Sequence, residues 1–136
     1  MVNWEVVDMN MHVSSTKGTR ICQIKDEIIE IIKQGSALPQ GDEIWVSSSG
    51  EEYPCLSILI KGKYACVHYF ENDEGDVWQS NGDFNEEVIF LAGDEEWTAP
   101  EYTIIPIETA INCMEEFCDT MKRPECIRWE ALWEEG

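Results

Sequence analysis

The stretch CLSILIKGKYACVHYF, residues 55–70, decides the fold. Its two arms carry apolar or aromatic side chains at every second position: Leu56, Ile58 and Ile60 in the first arm, and Tyr64, Cys66, His68 and Phe70 in the second. Side chains of a β-strand alternate between two faces, and the Lys-Gly-Lys segment between the arms supplies a tight turn. The stretch therefore predicts an antiparallel β-hairpin.

Short β-type runs separated by turn residues continue on both sides of this hairpin. They are EIWVSS (43–48), DVWQS (76–80), EEVIFLA (86–92) and EWTA (96–99). NWEVVDMNMHV (3–13) predicts an opening strand with a bulge near Val7 and Asp8, and CIRWEAL (126–132) predicts a final strand. These runs indicate a mostly antiparallel sheet of about six to eight strands.

Two segments change to helical spacing. From Thr19 to Gln34, isoleucines recur along one stripe and charged residues occupy the other side, and Gly35 follows as the predicted C-cap. IIPIETAINCMEEFCDTM (104–121) predicts a second helix, with Pro106 in its first turn and Pro124 ending it. The order strand, helix, strands, helix, strand predicts an α+β fold with both helices on one face of a single sheet.

Composition limits the class of protein. The 136 residues fit one domain, 1–136, and 43% hydrophobic residues with six tryptophans supply a core. No apolar run approaches the roughly 20 residues of a membrane helix, and the first ten residues lack the pattern of a secretory signal. We therefore expect a protein of the cytoplasm.

Charge is the sharpest signal. The formal net charge is −19, and no Lys or Arg occurs between Lys63 and Lys122. The candidate binding residues within that interval are Glu71, Asp73, Glu74, Asp76, Trp78, Asp83, Glu86, Asp94, Glu95, Glu96 and Trp97. The acids fit either solvated turns or a surface that imitates nucleic-acid phosphates, and the two tryptophans fit either interface anchors or core residues. Such a surface repels nucleic acid and attracts a cationic protein.

The sequence contains no recognisable motif for catalysis or metal binding. The six cysteines lack C-x-x-C spacing and fit buried thiols, and NDEGDVWQSNGD (72–83) lacks the ligand alternation of a calcium loop. The only histidines, His12 and His68, stand in no nucleophile or metal motif, and His68 fits a hydrogen-bonded strand residue. We predict no metal, no cofactor, no catalytic residue and no enzyme.

Several segments together resemble a known family. They are the hairpin of residues 55–70, SNGD (80–83), EEVIFLAG (86–93) and IPIETAINCMEEFCDTMKRPECIRWE (105–130). They resemble the first-numbered immunity protein family of bacterial polymorphic toxin and contact-dependent growth inhibition systems, over about Pro54 to Glu130. The family pattern falls on Pro106, Phe117, Thr120, Arg123, Pro124, Ile127 and Trp129. Met121-Lys122 departs from it, because the family often has Gly directly before its basic residue.

The resemblance implies an antitoxin of the bacterial cytoplasm that occludes the active site of a cognate toxin C-terminal domain. Partners in that family are often nucleases or deaminases, whose cationic grooves suit an acidic inhibitor. Two alternatives stay open: a general nucleic-acid mimic acting on a host DNA- or RNA-binding protein, and a small-ligand domain.

The basic residues near the C-terminus have a structural interpretation. Lys122 and Arg123 follow the last turn of the second helix, where the helix dipole favours cations. We predict that Arg123 or Arg128 reaches back to a carboxylate of the same chain.

Overall fold

A computed structural model describes residues 10–82 and 84–132. The strands are β1 Met11–Ser15, β2 Gly18–Cys22, β3 Asp42–Ser48, β4 Cys55–Lys61, β5 Tyr64–Phe70, β6 Val77–Asn81, β7 Val88–Ala92, β8 Glu95–Ala99, β9 Ile105–Pro106 and β10 Arg128–Ala131. The helices are α1 Lys25–Ser36 and α2 Ile107–Thr120, and a 3₁₀ turn spans Glu101–Thr103. The fold is α+β, as predicted.

The main sheet is antiparallel and has the strand order β10-β6-β5-β4-β3-β1-β2, with β9 added beside the start of β5. Strands β7 and β8 pair only with each other among the described residues and form a separate hairpin. The strands predicted over residues 43–48, 76–80, 86–92 and 96–99 are all present. The sequence predicted a single sheet, whereas β7 and β8 form a separate two-stranded sheet.

The hairpin that opened the sequence analysis forms the centre of the sheet. Lys61 pairs with Tyr64, so the turn consists only of Gly62 and Lys63, and Gly62 has a φ of +60°. Because Ile58 lies opposite Val67, the even-numbered residues of β4 share a face with the odd-numbered residues of β5. Both helices cover this face, which we call the helix side.

The main core lies between the helices and the helix side of the sheet. Its buried side chains include Ile44, Val46, Leu56, Ile58, Ile60, Ala65, Val67 and Tyr69 from the sheet and Ile28, Ile32, Ala110, Met114 and Phe117 from the helices. The prediction that both helices pack on one face is therefore confirmed. The other face, which we call the outer face, carries the β7–β8 hairpin and a second core of Leu59, Cys66, Val88, Phe90, Ala99 and Ile104.

The start of the first helix was predicted wrongly. Residues 19–22 belong to β2, which pairs along its whole length with β1, and α1 begins only at Lys25. Ile21 and Ile24, which fit the predicted stripe, are 46% and 54% exposed. Glu27 marks the true start, because its Oε1 accepts the backbone N–H groups of Gln23 and Ile24. Residues 3–9 of the predicted opening strand, with the bulge, lie outside the described residues.

The predicted C-cap of the first helix was also wrong, whereas the second helix ends where its predicted segment ends. Gly35 lies inside α1, whose C-cap is Ala37. A Cβ at position 35 would lie 2.7 Å from the Cβ of Asp42, so the glycine allows α1 to approach β3 closely. Helix α2 ends at Met121, which has a φ of +55° and donates its N–H to the Phe117 carbonyl at 2.7 Å. Pro124 lies three residues beyond this stop.

Candidate functional site

The outer face carries a row of aromatic side chains, which we call the aromatic row: Trp45, Phe70, His68 and Trp97. The ring centroids of Trp45 and Phe70 lie 5.3 Å apart, those of Phe70 and His68 6.4 Å apart, and those of His68 and Trp97 5.8 Å apart. Neighbouring strands position them, since Trp45 lies opposite Ser57 and Ser57 lies opposite His68. All four side chains are half-buried, so the row presents apolar surface to a partner.

Burial favours the neutral form of His68. One of its ring nitrogens, Nε2, lies 3.0 Å from Oε1 of Gln79, which is buried opposite it on β6. Burial lowers the pKa of His68 below its ordinary value of 6.5, and the Gln79 contact opposes this only in part. His68 is thus the hydrogen-bonded strand histidine that the sequence predicted.

The β7–β8 hairpin forms one border of the aromatic row. Phe90 and Val88 anchor it against Leu59 and Cys66. Two polar contacts fix it to the main sheet: the Gly93 N–H donates to Oε1 of Glu43 at 3.0 Å, and Lys61 Nζ donates to the Ile89 carbonyl at 3.3 Å. The hairpin therefore holds its acidic tip, Asp94, Glu95 and Glu96, exposed above the edge of the row.

A second group of predicted acids lies in the β5–β6 loop. Glu71, Asp73 and Glu74 are exposed and Asp76 is half-buried. The Glu71 N–H donates to the Asp76 carbonyl at 3.0 Å, and the Asn72 side chain donates to the Asp76 carboxylate at 2.9 Å. These bonds brace the backbone of the loop directly after Phe70 and hold the Asp76 carboxylate.

The two acidic groups lie at different levels along the strands of the main sheet. The hairpin tip contacts Glu43, and Glu43 aligns through β4 with Cys66 of β5. The β5–β6 loop begins four residues further along β5, after Phe70. At about 3.3 Å per strand residue, the two levels are roughly 13 Å apart along β5.

The remaining predicted residues lie elsewhere. Trp78 pairs with Tyr69 on the helix side, where the Arg123 guanidinium lies 3.8 Å from the centre of its ring, so Trp78 and Trp97 are on opposite faces. Glu86 lines a surface groove with Lys61 and Lys63, which offset its charge locally. Asp83 lies outside the described residues.

The C-terminal pattern forms a packing unit around Tyr69. Phe117 is fully buried with its ring centroid 6.1 Å from that of Tyr69, and the Trp129 ring lies 6.4 Å away. The Trp129 indole N–H donates to the Pro124 carbonyl at 2.7 Å, which fixes the path into β10. Ile127 packs against the same core, and Pro106 is the N-cap of α2. The Arg123 guanidinium contacts the Trp78 ring, and a carboxylate partner for Arg123 or Arg128 stays a prediction.

This combination of a packed C-terminal unit, a central hairpin and two helices on one face agrees with a family comparison. The model of the family "Immunity protein Imm1" matches residues 17–131. The chain belongs to the Imm1 family. The match begins well before Pro54, so β2 and α1 belong to the family domain as well as the segments that carried the resemblance. A comparison with curated proteins found no match. As a member of this family, the protein has the role of an immunity protein, which implies a cognate toxin.

Sequence reasoning missed three residues of the outer face: Glu43, Trp45 and Phe70. A signal was present in β3, where Trp45 and Ser47 alternate with the buried Ile44 and Val46. That alternation assigns Trp45 to the face away from the helices.

Among the described residues, no helix is long and apolar enough to span a membrane. No cluster of three or more His, Cys, Asp or Glu suited to a metal ion occurs in that part of the chain.

Proposed function

We propose that this immunity protein blocks the active site of a cognate toxin C-terminal domain with its outer face, and that the toxin is a nuclease or a deaminase. The observation that carries the proposal is the half-buried aromatic row, together with the exposed carboxylates of the β7–β8 hairpin tip and of the loop that follows Phe70. A nucleic-acid-acting enzyme binds its substrate with Lys and Arg, and the two acidic groups offer anions to such a groove.

The two kinds of residue have different tasks. The acidic tip of the β7–β8 hairpin and the β5–β6 loop speed the encounter with a cationic toxin and fix its orientation. Trp45, Phe70 and Trp97 exclude water at the centre, where interface aromatic residues supply most of the binding energy. Inhibition is by occlusion in the bacterial cytoplasm, so the immunity protein needs no catalytic residue, metal or cofactor.

The test begins with the toxin encoded beside this protein. The two proteins are co-expressed and co-purified, and calorimetry then gives the Kd of the parent and of outer-face variants. The variants are Asp94→Lys/Glu95→Lys/Glu96→Lys, Asp73→Lys/Glu74→Lys/Asp76→Lys and Trp45→Ala. The matched control reverses three acids away from the outer face: Asp26→Lys/Glu30→Lys/Glu108→Lys.

We expect each outer-face triple variant to bind about 100-fold more weakly, at roughly 1 kcal/mol for each reversed charge. The control triple should stay within about threefold. Should both outer-face triples bind as tightly as the parent, the acidic groups are solvated turns and the proposed surface is wrong. A complex that dissociates completely at 0.5 M salt would favour a general nucleic-acid mimic, because a cognate pair keeps its buried aromatic contacts when surface charges are screened.

A further inference from the structure

Two thiols on the helix side lie close enough to react with each other. The sulfur of Cys113, in the second turn of α2, lies 3.4 Å from the sulfur of Cys126, in the segment that leads into β10. Cys113 is fully buried and Cys126 is exposed. A disulfide needs its sulfurs at about 2.05 Å, so they must approach by about 1.4 Å.

The segment that carries Cys126 is tied to α2 just before the thiol and is braced by a hydrogen bond between residues on either side of it. Before it, the Glu125 N–H donates to Oε2 of Glu116 at 2.5 Å. After it, the Trp129 indole N–H donates to the Pro124 carbonyl at 2.7 Å. Small side-chain rotations can therefore close the remaining gap while the backbone keeps its path.

Access also distinguishes this pair from the other thiols. Cys126 lines an open groove of about 510 Å³ together with Ile105 and Ile127, so a small reagent reaches its sulfur. Cys22, Cys55 and Cys66 are buried, and the sulfur of Cys118 packs against that of Met114 at 3.7 Å. Of the six cysteines, Cys126 alone combines exposure with a second thiol in contact.

We propose that Cys113 and Cys126 form a thiol–disulfide site that a low-molecular-weight disulfide oxidises to an intramolecular bridge. The Cys126 thiolate attacks one sulfur of the reagent and forms a mixed disulfide, which releases the reagent's other half as a thiolate. The Cys113 thiolate then attacks the Cys126 sulfur and releases the second half. The two protein thiols lose two protons and two electrons, and one reagent disulfide becomes two thiols.

Burial raises the pKa of both thiols, so the thiolates that drive both steps become more abundant at alkaline pH. The bridge would tie α2 to the segment before β10, on the opposite side of the sheet from the aromatic row. It closes a loop between residues 113 and 126 and thereby restricts the unfolded chain. This inference does not depend on the proposed toxin-binding surface.

The experiment treats the full chain with oxidised glutathione at pH 8.5 and blocks the remaining thiols with iodoacetamide. A protease that cleaves after glutamate separates the relevant cysteines, since Cys113 falls in residues 109–115, Cys118 in residues 117–125 and Cys126 in residues 126–130. Mass spectrometry then identifies any linked pair. Cys126→Ser is the test variant, and Cys118→Ser, on the same helix, is the control.

We expect the 109–115 and 126–130 peptides to be joined in the parent and in Cys118→Ser, and the intact protein to lose 2 Da. The oxidised parent should melt roughly 10 °C higher than the reduced parent, with no such shift in Cys126→Ser. Glutathione that stays attached to Cys126, a link between two chains, or a link to Cys118 instead of Cys113 would each overturn the proposal.

Discussion

Ser80 provides the most direct test of how β6 is attached to the rest of the sheet. β5 and β6 pair only from His68 to Phe70, and the ladder stops before Val67. The Ser80 hydroxyl substitutes for the missing pair, since it accepts the Val67 N–H at 3.0 Å and donates to the Thr103 carbonyl at 2.8 Å. Ser80 and Thr103 are both fully buried, so no water replaces these bonds.

The Ser80→Ala substitution should therefore destabilise the folded protein strongly, although it removes only one oxygen atom. Each buried polar group left without a partner costs about 1–3 kcal/mol, and the loss of two bonds should lower the free energy of unfolding by about 2–4 kcal/mol. At about 3 °C per kcal/mol for a chain of this length, Tm should fall by roughly 6–12 °C. The Val67 amide should also lose its protection against hydrogen exchange.

Urea unfolding followed by tryptophan fluorescence gives the free energy, and exchange measured by NMR gives the Val67 protection. Thr98→Ala, at an exposed position of β8, is the control and should stay within about 0.5 kcal/mol of the parent. A Ser80→Ala protein as stable as this control, with the Val67 amide still protected, would refute the idea that the hydroxyl completes the ladder.

Three further predictions concern other features of the fold. Gly82→Ala should prevent folding or lower Tm strongly, as seen in a thermal melt, because the new Cβ would lie 1.8 Å from the Ile104 carbonyl oxygen. Arg123→Ala should lower the free energy of unfolding by about 0.5–1 kcal/mol, because the contact with the Trp78 ring is lost. The substitution should leave the Kd for the toxin unchanged. A tenfold weaker Kd in calorimetry would contradict this. Because the pKa of His68 is lowered in the folded protein, the unfolded chain binds a proton at this residue more readily. His68 should therefore make the free energy of unfolding fall as the pH drops below about 6.5. Urea titrations between pH 5 and 7 should show a smaller fall in the free energy of unfolding for His68→Gln than for the parent.

Much of the fold could be predicted because local pattern and tertiary contact agree. The first strand of the central hairpin and the stripe of α2 are examples, since Leu56, Ile58 and Ile60 are buried and the stripe residues are buried or pack against the main core. In the second strand, Tyr64, His68 and Phe70 are only half-buried. Residues 19–22 are the instructive exception. Ile21 and Ile24 extend the isoleucine stripe in sequence, but β1 offers a complete pairing partner, and that long-range pairing outweighs a modest helix propensity.

The candidate site could be predicted only in part, because the fold brings together charged residues that are far apart in the sequence. Glu86 belongs to an interval without cations, yet the fold places it beside Lys61 and Lys63. The side of the sheet that Trp78 occupies depends on its register with Tyr69, which no local pattern specifies. Trp45 was missed because the candidate residues were chosen from the acidic interval between Lys63 and Lys122, and Trp45 lies outside that interval.

The sheet separates the two cores completely, and this has a consequence for how such a protein can change over generations. Within β3, the side chains of Ile44 and Val46 enter the main core, whereas those of Glu43 and Trp45 reach the outer face. On the proposed interface, substitutions at the outward positions would change the surface that faces the toxin without touching the packing beneath the helices. An immunity lineage can thus follow a diverging toxin by exchanging every second residue of a strand, and keep its fold while it changes its specificity.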